Sequence, residues 1–256
     1  MSKQHAIYVS HMGDDQAVVN AARMSFGVDA KQYTNAQNQS LIQFLAHGVR
    51  SKEHALKLAE IRAGAPHVMD ADEALLWAKD LYEDLRHRAV HWTPFAHTAI
   101  SIRMKAPIPI RTQCFKHKQG LVENEESRRY IKSKPEVFYP DFFRSAPEAD
   151  VKQGSGGMHP DSDLWMGIYR SASESAVVLY ENMIADGIAP EQARFILPQG
   201  VNVNWLWTGN LLAFANFYNK RSDPHAQKEI QDLAEMVKDV VAPLFPHSWA
   251  ALTRHK

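Results

Sequence analysis

The sequence lacks most of the features that mark secreted, membrane and metal-thiolate proteins. Its 256 residues include one cysteine, Cys114, so neither an intrachain disulfide nor a zinc site built from several thiolates is possible. The densest apolar stretch, residues 205–218, is interrupted by Gly209 and several polar residues and is too short to cross a bilayer. The first residues, MSKQHAIYVSHMGDD, lack the apolar core of a secretory signal. These absences predict a cytoplasmic protein without a membrane segment.

The chain also lacks an excess of charge of either sign. Its 29 Lys and Arg residues balance 29 Asp and Glu residues, whereas a general nucleic-acid binder needs a basic surplus to hold phosphates. We therefore expect no nucleic-acid partner, although one small basic pocket is compatible with the balance. With 45% hydrophobic and 23% charged residues, the composition is typical of a soluble globular domain.

Helical periodicity dominates the first third of the chain. Asp14 or Asp15 is expected to cap a first helix, and an apolar stripe from Leu41 to Leu45 predicts a helix that ends near Gly48. Two further helices are predicted, one opening at Ser51 and one over 75–85. The pattern then alternates through Ile100, Ile102 and Met104, which predicts a strand, followed by a short helix from Ile108 towards Phe115.

The second half of the chain predicts one long helix, one strand and further helices. The long helix runs from about Leu164 to Asp186, and Pro190 suits the first turn of a helix that carries Arg194. Residues 201–207 alternate like a strand, and a helix carrying Asn210 and Asn216 follows. The last long helix is expected to open at SDPHAQKEI, with Ser222 or Asp223 as its cap and Pro224 in its first turn.

These elements indicate a helix-rich α+β fold with two to four strands in a small antiparallel sheet. Strands and helices do not alternate as βαβ units, so a doubly wound nucleotide-binding fold is excluded. The GSGG sequence at 154–157 follows no strand and is not a dinucleotide fingerprint. No 20–50-residue repeat is present, and a single domain over 1–256 is expected.

The most unusual stretch is KHKQGLVENEESRRY, residues 116–130, which is rich in charge and poor in apolar residues. This composition predicts a segment outside the core. Its cations and hydroxyl groups suit a phosphate, and its carboxylates suit ribose hydroxyls or ring N–H groups. A nucleotide site and a solvated loop with weak salt bridges both fit these residues.

NEESRRY, residues 124–130, resembles the second half of the signature of flavin-dependent thymidylate synthases, R-H-R-x-x-S-x-N-E-x-S-x-R-Y. Further blocks are similar to the family in order along the chain: NAARMSF, HWTPFAHTAI, KAPIPIRTQCFKHK, ARFILP, WTGNLLAFANF and KRSDPHAQKEI. The resemblance covers about residues 12–252. It departs from the family where Lys116 and Lys118 replace arginines, where the first serine is missing and where the segment is one residue longer. The pair Leu211-Leu212 also stands where the family often has an arginine.

The resemblance implies an enzyme, a methyltransferase that reductively methylates deoxyuridylate (dUMP) to thymidylate. Methylenetetrahydrofolate would supply the carbon, FAD would carry it and NADPH would be the reductant. The family forms homotetramers with active sites shared between subunits, so the resemblance also implies that assembly here.

The resemblance implies roles for individual residues as well. Arg221 matches the catalytic arginine that stabilises the uracil ring as its N–H ionises, a sound electrostatic device for a guanidinium. The other implied substrate contacts are Gln113, Lys116, Glu125, Ser127, Arg129 and Arg194. The implied flavin-site contacts are Ser25, His91, Thr93, Lys116, His117, Lys118, Glu125, Asn210, Asn216 and His225. Because a spacing of six does not share a helix face, Asn210 and Asn216 touch different parts of the cofactor or one of them is structural.

Three alternatives stay open at the level of sequence. Cys114 could be a thiolate nucleophile, as in the unrelated classical thymidylate synthases, or a small buried apolar residue. The chain could instead be a nucleotide- or RNA-binding protein that lost catalysis, or a flavin enzyme that modifies another pyrimidine nucleotide. His91 and His97 have no third ligand nearby in the sequence, so no metal is expected.

Overall fold

The computed structural model describes residues 3–28, 32–48, 91–147 and 154–253. In these ranges the strands are β1 (His5–Met12), β2 (Ala99–Pro107), β3 (Leu121–Glu125) and β4 (Asn202–Gly209). The α-helices are α1 (Asp15–Arg23), α2 (Asn35–His47), α3 (Thr93–Ala96), α4 (Ile108–Cys114), α5 (Ser162–Ala185), α6 (Pro190–Ala193), α7 (Leu211–Arg221), α8 (Lys228–Val241) and α9 (Pro246–Leu252). The helices predicted from Ser51 and over 75–85 lie outside the described residues.

The four strands form one antiparallel sheet in the order β1-β2-β4-β3, which confirms the α+β prediction. Its two central strands alternate as expected, with Ile102 and Met104 of β2 and Trp205 and Trp207 of β4 buried. Strand β1 was not predicted from the sequence. It is an edge strand, and most of its side chains are exposed, so it lacks the buried alternation that identifies a strand in sequence.

The polar segment 116–130 contributes an edge strand that was not predicted, although only Leu121 of the segment is buried, as expected for a segment outside the core. Gly120 takes a left-handed backbone conformation at φ 74°, which turns the chain into β3. The side chains that follow alternate, so Leu121 is 5% exposed and Val122 is 65% exposed. The edge strand β3, which pairs with β4, therefore contains only two apolar residues, Leu121 and Val122.

The fold divides into two compact units. The first comprises Met1–Val9, Ser101–Thr208 and Lys220–Val237, and the second comprises Ser10–Ile100, Gly209–Asn219 and Lys238–Lys256. Most residues of the four strands belong to the first unit. The single domain over 1–256 stays a prediction.

In the first unit, α8 begins later than predicted. The carboxylate of Asp223 accepts a hydrogen bond from the His225 N–H at 2.9 Å, and its carbonyl accepts one from Ala226 at 2.9 Å. Asp223 therefore closes a turn that contains Pro224 instead of capping the helix, which starts at Lys228, so neither Ser222 nor Asp223 is its cap. The predicted apolar face of the helix is buried throughout, at Ile230, Leu233, Ala234, Val237 and Val241.

The long helix α5 confirms the prediction for 164–186 and extends it to Ser162. One side of it is buried at Val177 and Tyr180, whereas several large apolar side chains remain 45–60% exposed in this chain. These exposed residues are Leu164, Trp165, Ile168, Val178 and Leu179. They recur at helical spacing, so they form an apolar stripe on the helix surface.

A small apolar cluster in the first unit joins α5 to the loops around it. Val137, Val177 and Val201 are buried together, and Tyr169 packs against them. The Tyr169 hydroxyl donates to the carbonyl of Phe138 at 3.0 Å. A Cβ atom on Gly200 would overlap that hydroxyl, so a larger residue at this position would require Tyr169 to shift.

In the second unit, α1 packs against α2, α3 and α9. Two helix boundaries in this unit lie where the sequence predicted them. The Asp14 side chain caps α1 by accepting a hydrogen bond from the N–H of Ala17 at 2.8 Å, and α2 ends before Gly48. The neighbouring Asp15 accepts hydrogen bonds from the N–H groups of His247 and Ser248, both at 2.8 Å, and so caps α9.

Candidate active site

Arg221, at the last turn of α7, is held by the segment that runs from α4 into the following turn. Its Nε donates to Nε2 of His117 at 2.9 Å, and its Nη2 donates to the carbonyl of Gln113 at 3.2 Å. A longer contact of 3.4 Å joins its Nη1 to Oε1 of Gln113. Three acceptors thus orient one guanidinium, which brings together the sequence-predicted residues Arg221, Gln113 and His117.

His117 is a neutral imidazole in this arrangement. Burial, followed by the charges of Arg221 and Lys220, lowers the pKa of His117 to about 4. Because Nε2 accepts the hydrogen bond from Arg221, the ring proton lies on Nδ1 at neutral pH. The imidazole is therefore an acceptor that fixes the arginine, and no like charge opposes the guanidinium.

Glu125, at the end of β3, forms an ion pair with Arg111 of α4. The Nε of Arg111 lies 2.8 Å from Oε2 of Glu125, and both side chains are about one-quarter exposed. Burial raises the pKa of Glu125, and the charges of Arg111 and Arg194 oppose that rise. The Arg111–Glu125 pair therefore lies in a partly dry environment, where an ionic contact is stronger than on the surface.

Arg111 is a site residue that sequence reasoning missed. It lies in the mostly apolar stretch PIPIRTQC, where a lone cation gives no pattern, and its partner is fourteen positions away in β3. The available signal was its position two residues before Gln113 on a short helix. Only the pairing with Glu125 shows that it belongs to the site.

The other predicted substrate contacts lie at the surface of the first unit. The Nε of Arg129 donates to the Ser127 hydroxyl at 3.2 Å, which agrees with Ser127 as a hydrogen-bonding residue. Arg194 is exposed on the 3-10 turn Arg194–Ile196 and donates to the carbonyl of Glu191 at 3.2 Å. It lies close enough to Glu125 to affect its ionisation. These exposed cations are available to an anionic ligand.

The two lysines that replace family arginines are both exposed. Lys118 forms an ion pair with Glu123 across the lengthened turn, and its ammonium lies 5.4 Å from the centre of the Phe115 ring. Lys116 is exposed between Phe115 and His117. His225 is exposed in the turn before α8.

In the second unit, three predicted flavin contacts line one cavity. Ser25, His91 and Thr93 are exposed to a space of about 870 Å³ between α1, α2 and the start of α3. The His91 ring stacks on Phe44, with ring centres 5.2 Å apart. The sequence therefore assigned residues from two distant segments to one concave surface.

Arg23 and Tyr33 also line this cavity, and neither was predicted. The Arg23 guanidinium lies 3.6 Å from the centre of the Tyr33 ring, and its Nη1 donates to Asn38 at 2.9 Å. Arg23 belongs to the NAARMSF block, so its charge was evident from the sequence. The direction in which its side chain points was not. A buried cation over an aromatic ring gives one wall of the cavity a fixed shape.

Asn210 and Asn216 have different environments in the second unit. The Asn210 side chain accepts a hydrogen bond from the N–H of Ala213 at 2.9 Å and so caps α7. Asn216 is exposed one and a half turns further on. The structure therefore gives Asn210 a structural role, one of the two outcomes that their spacing allowed.

Cys114 is fully buried, which confirms its interpretation as a small apolar residue. Burial raises the pKa of the Cys114 thiol far above its ordinary value, and the charges of Arg221 and Arg111 only partly oppose this. A thiolate nucleophile needs a lowered pKa and access to substrate. Cys114 has neither property.

Among residues 3–28, 32–48, 91–147 and 154–253, no group of three His, Cys, Asp or Glu side chains is placed to hold a metal ion. No helix in the same part of the chain is long and apolar enough to span a bilayer.

The sequence profile of a family described as "Thymidylate synthase complementing protein" matches residues 8–247. A flavin-dependent thymidylate synthase from Thermus thermophilus is 29% identical over 247 residues, covering 96% of this chain and 74% of that protein. One from Thermosipho africanus is 29% identical over 249 residues, covering 96% of this chain and 89% of that protein.

Solved structures show the same fold. A UMP/dUMP methylase from Streptomyces cacaoi, bound with 5-Br dUMP, matches with a TM-score of 0.71 and 25% identity over 98% of this chain and 94% of that one. Its complex with 5-Br UMP matches with a TM-score of 0.70 at 23% identity, which is a likeness of fold.

Proposed function

The chain belongs to the thymidylate synthase complementing protein family, and on that premise we propose that it is a flavin-dependent thymidylate synthase. The family match confirms the resemblance found in the sequence. In the proposed reaction dUMP is methylated to thymidylate. Methylenetetrahydrofolate donates the carbon, and NADPH is the reductant.

The observation that carries the proposal is the fixed guanidinium of Arg221. A rigid cation beside a ring whose N–H ionises stabilises the charge that develops there, and it needs no rearrangement during the reaction. Contacts with Gln113 and a neutral His117 supply that rigidity in the first unit. Arg221 is the proposed catalytic residue in this role.

The residues around Arg221 offer the complementary groups for a pyrimidine nucleotide. Arg129 and Arg194 are exposed cations for the phosphate, and Ser127 is a hydroxyl within hydrogen-bond distance of Arg129. Glu125 can accept hydrogen bonds from a ribose hydroxyl. Lys116 keeps the charge of the family arginine but binds as a point charge, without the planar fork of a guanidinium.

The second-unit cavity fits the flavin that the family requires. Its volume of about 870 Å³ lies within the roughly 300–1,000 Å³ range of small-molecule and cofactor sites, and its walls are mainly apolar with a few polar groups. Ser25, His91 and Thr93 would hold the cofactor there, while Lys116, His117, Lys118 and His225 are proposed contacts in the first unit. The bound flavin would supply the electron- and carbon-transfer chemistry that these side chains cannot perform.

We also propose that the enzyme is a homotetramer with shared active sites. The apolar stripe on α5, defined by Leu164, Trp165, Ile168, Val178 and Leu179, supports an interface between copies of this chain. Exposed apolar stripes of this length on a helix are typical of buried contacts in assemblies.

Visible absorbance tests the proposed function directly. The protein would be incubated with FAD, freed of unbound cofactor and followed anaerobically after NADPH and dUMP are added. Retained flavin that bleaches, with thymidylate formed once methylenetetrahydrofolate is present, is the expected result. Binding of dUMP without flavin retention would overturn the proposal and favour a nucleotide-binding protein that lost catalysis.

A second candidate is a flavin enzyme that methylates another pyrimidine nucleotide. The likeness to a methylase named for both UMP and dUMP favours it, since the two nucleotides differ only at the 2′-hydroxyl. Competition at equal concentrations of dUMP, UMP and deoxycytidylate separates the candidates. The principal proposal expects thymidylate as the dominant product, whereas dominant turnover of UMP or deoxycytidylate would support the second candidate.

A further inference from the structure

A chain of hydrogen bonds leads from Arg221 into the first unit, beyond the predicted site. The Nε2 of Gln113 donates to Oε1 of Gln227 at 2.8 Å. The Nε2 of Gln227 in turn donates to Oε2 of Glu229 at 2.8 Å. The chain ends at Arg144, whose Nη2 lies 2.6 and 2.8 Å from the two carboxylate oxygens of Glu229.

The two ends of this chain have fixed polarity. Arg221 can only donate, and an ionised Glu229 can only accept. Burial raises the pKa of Glu229, but hydrogen bonds from Arg144 and Gln227 outweigh that effect and leave it below its ordinary value. The carboxylate is therefore ionised at neutral pH.

Fixed ends determine how both amides between them are turned. Glu229 requires the NH₂ group of Gln227, so Gln227 presents its oxygen to Gln113. Gln113 must then donate to Gln227 with its own NH₂ group, which leaves its oxygen directed to Arg221. With either amide reversed, two donors or two acceptors would face each other.

Arg144 is itself held in place, which fixes the far end of the chain of hydrogen bonds. Its Nε donates to the Ser155 hydroxyl at 2.7 Å, and its side chain is 21% exposed. The side chain of Glu229 is 12% exposed, so their ion pair is partly shielded from water. Gln227 is exposed, and its two bonds therefore compete with water and contribute modestly.

We propose that Gln227, Glu229 and Arg144 are positioning residues that orient Arg221 through the amide of Gln113. This inference rests on the proposed function for its effect on turnover. The orientation itself is a property of the protein without ligands. Neither Gln227, Glu229 nor Arg144 was singled out by the family resemblance.

A double-mutant cycle tests the connection through Gln113. Gln227→Met removes the amide and keeps the length of the side chain. We expect it to lower kcat/KM for dUMP about fivefold, the effect of losing one modest hydrogen bond. In a Gln113→Met background the same change is expected to alter kcat/KM less than twofold, because the link is already broken.

Gln231→Met, four residues further along in α8, is the matched control. The Gln231 amide bonds to the carbonyls of Pro224 and Ala226 and is outside the chain of bonds. We expect it to leave kcat/KM within twofold of the wild type. Equal losses for Gln227→Met in both backgrounds, or equal losses for Gln227→Met and Gln231→Met, would overturn the positioning role.

Hydrogen exchange at the Arg221 Nε–H, followed by NMR with ¹⁵N-labelled arginine, gives a readout that needs no activity. The signal would be assigned with Arg221→Lys. Exchange is expected to accelerate at least threefold in Gln227→Met and Glu229→Gln and to be unchanged in Gln231→Met. Unchanged exchange in the first two variants would refute the inference even in an active enzyme. Accelerated exchange in a protein without thymidylate formation would uphold the orientation while the proposed function fails.

Discussion

The two regions that carry the predicted contacts are organised in opposite ways. In the first unit, Gln113, His117 and Arg221 are half-buried and bonded to one another before any ligand binds. In the second unit, Ser25, His91 and Thr93 are exposed around an open cavity of about 870 Å³. A pre-bonded cluster suits a small polar group whose orientation decides the chemistry, because its ordering cost is met during folding. An open cavity suits a large ligand that binds mainly through contact area.

The largest effect is expected from removing the centre of the bonded cluster. Arg221→Ala should lower the turnover of dUMP about 100-fold or more, because the developing charge on the ring loses its fixed cation. Thymidylate formation in a single turnover measures the loss. Lys228→Ala is the control, since Lys228 pairs with Asp232 at the surface. An Arg221→Ala enzyme with more than a tenth of wild-type turnover would contradict the catalytic role.

Filling the cavity tests the other side of the comparison. Leu41 lines the cavity in the second unit, and Leu41→Trp would occupy part of it. The indole would take up space that bound FAD needs, and FAD retention should fall about tenfold, which corresponds to about 1.4 kcal/mol of binding free energy. The ratio of flavin to protein after desalting measures it. Leu206→Trp, at a side chain 42% exposed on β4, should retain FAD normally. Normal FAD retention by a folded Leu41→Trp protein would place the flavin elsewhere.

The neutral state of His117 should appear as a pH dependence of stability. Its pKa in the folded protein is about 4, below the ordinary value of 6.5, because of burial and the nearby cations. As the pH falls from 6.5 to 4, the unfolded chain takes up a proton that the folded chain does not. The folded state therefore loses stability as the pH falls from 6.5 to 4. The substitution His117→Asn should abolish this pH-dependent loss of stability.

Melting temperatures between pH 7 and pH 4.5 measure this difference. The wild type should lose a few degrees more than His117→Asn over that range. His91→Asn, in the exposed cavity, is the matched control and should follow the wild type. Parallel curves for the wild type and His117→Asn would show that the imidazole is not kept neutral by the bonded cluster.

The smallest effect on turnover is expected at Cys114, which is buried beneath the bonded cluster and takes no part in it. Cys114→Ala should leave kcat unchanged and lower the free energy of unfolding by about 1 kcal/mol, as small core truncations do. Steady-state kinetics and thermal unfolding test both parts. A large fall in kcat without loss of folding would restore the thiolate hypothesis.

The sequence predicted best those elements whose signals are local. The cap at Asp14, the end of α2 near Gly48 and the apolar face of α8 depend on neighbouring residues and were all confirmed. The predicted start of α8 was wrong because an aspartate side chain can either cap a helix or close a turn. At Asp223 it closes a turn. The edge strand β1 was missed because its exposed side chains have no buried alternation.

The candidate site shows the same difference between residues with a local sequence signal and residues whose role depends on distant elements. Family blocks identified Gln113, His117 and Arg221, which the structure brings together although Arg221 is 108 and 104 positions from the other two. They gave no sign of Arg111, whose role depends on reaching Glu125 from another element. The sequence favoured a buried Cys114 without deciding it, because the residue type alone does not distinguish a core cysteine from a catalytic one. The structure shows that Cys114 is buried.

The close approach of Gly200 and Tyr169 has a consequence for how this family can vary. A side chain at position 200 and a hydroxyl on residue 169 require the same space, so each excludes the other. Relatives that carry alanine or serine at the first position should carry phenylalanine or a smaller residue at the second. The two positions should therefore change together during evolution, and neither can drift alone without an intermediate that packs poorly.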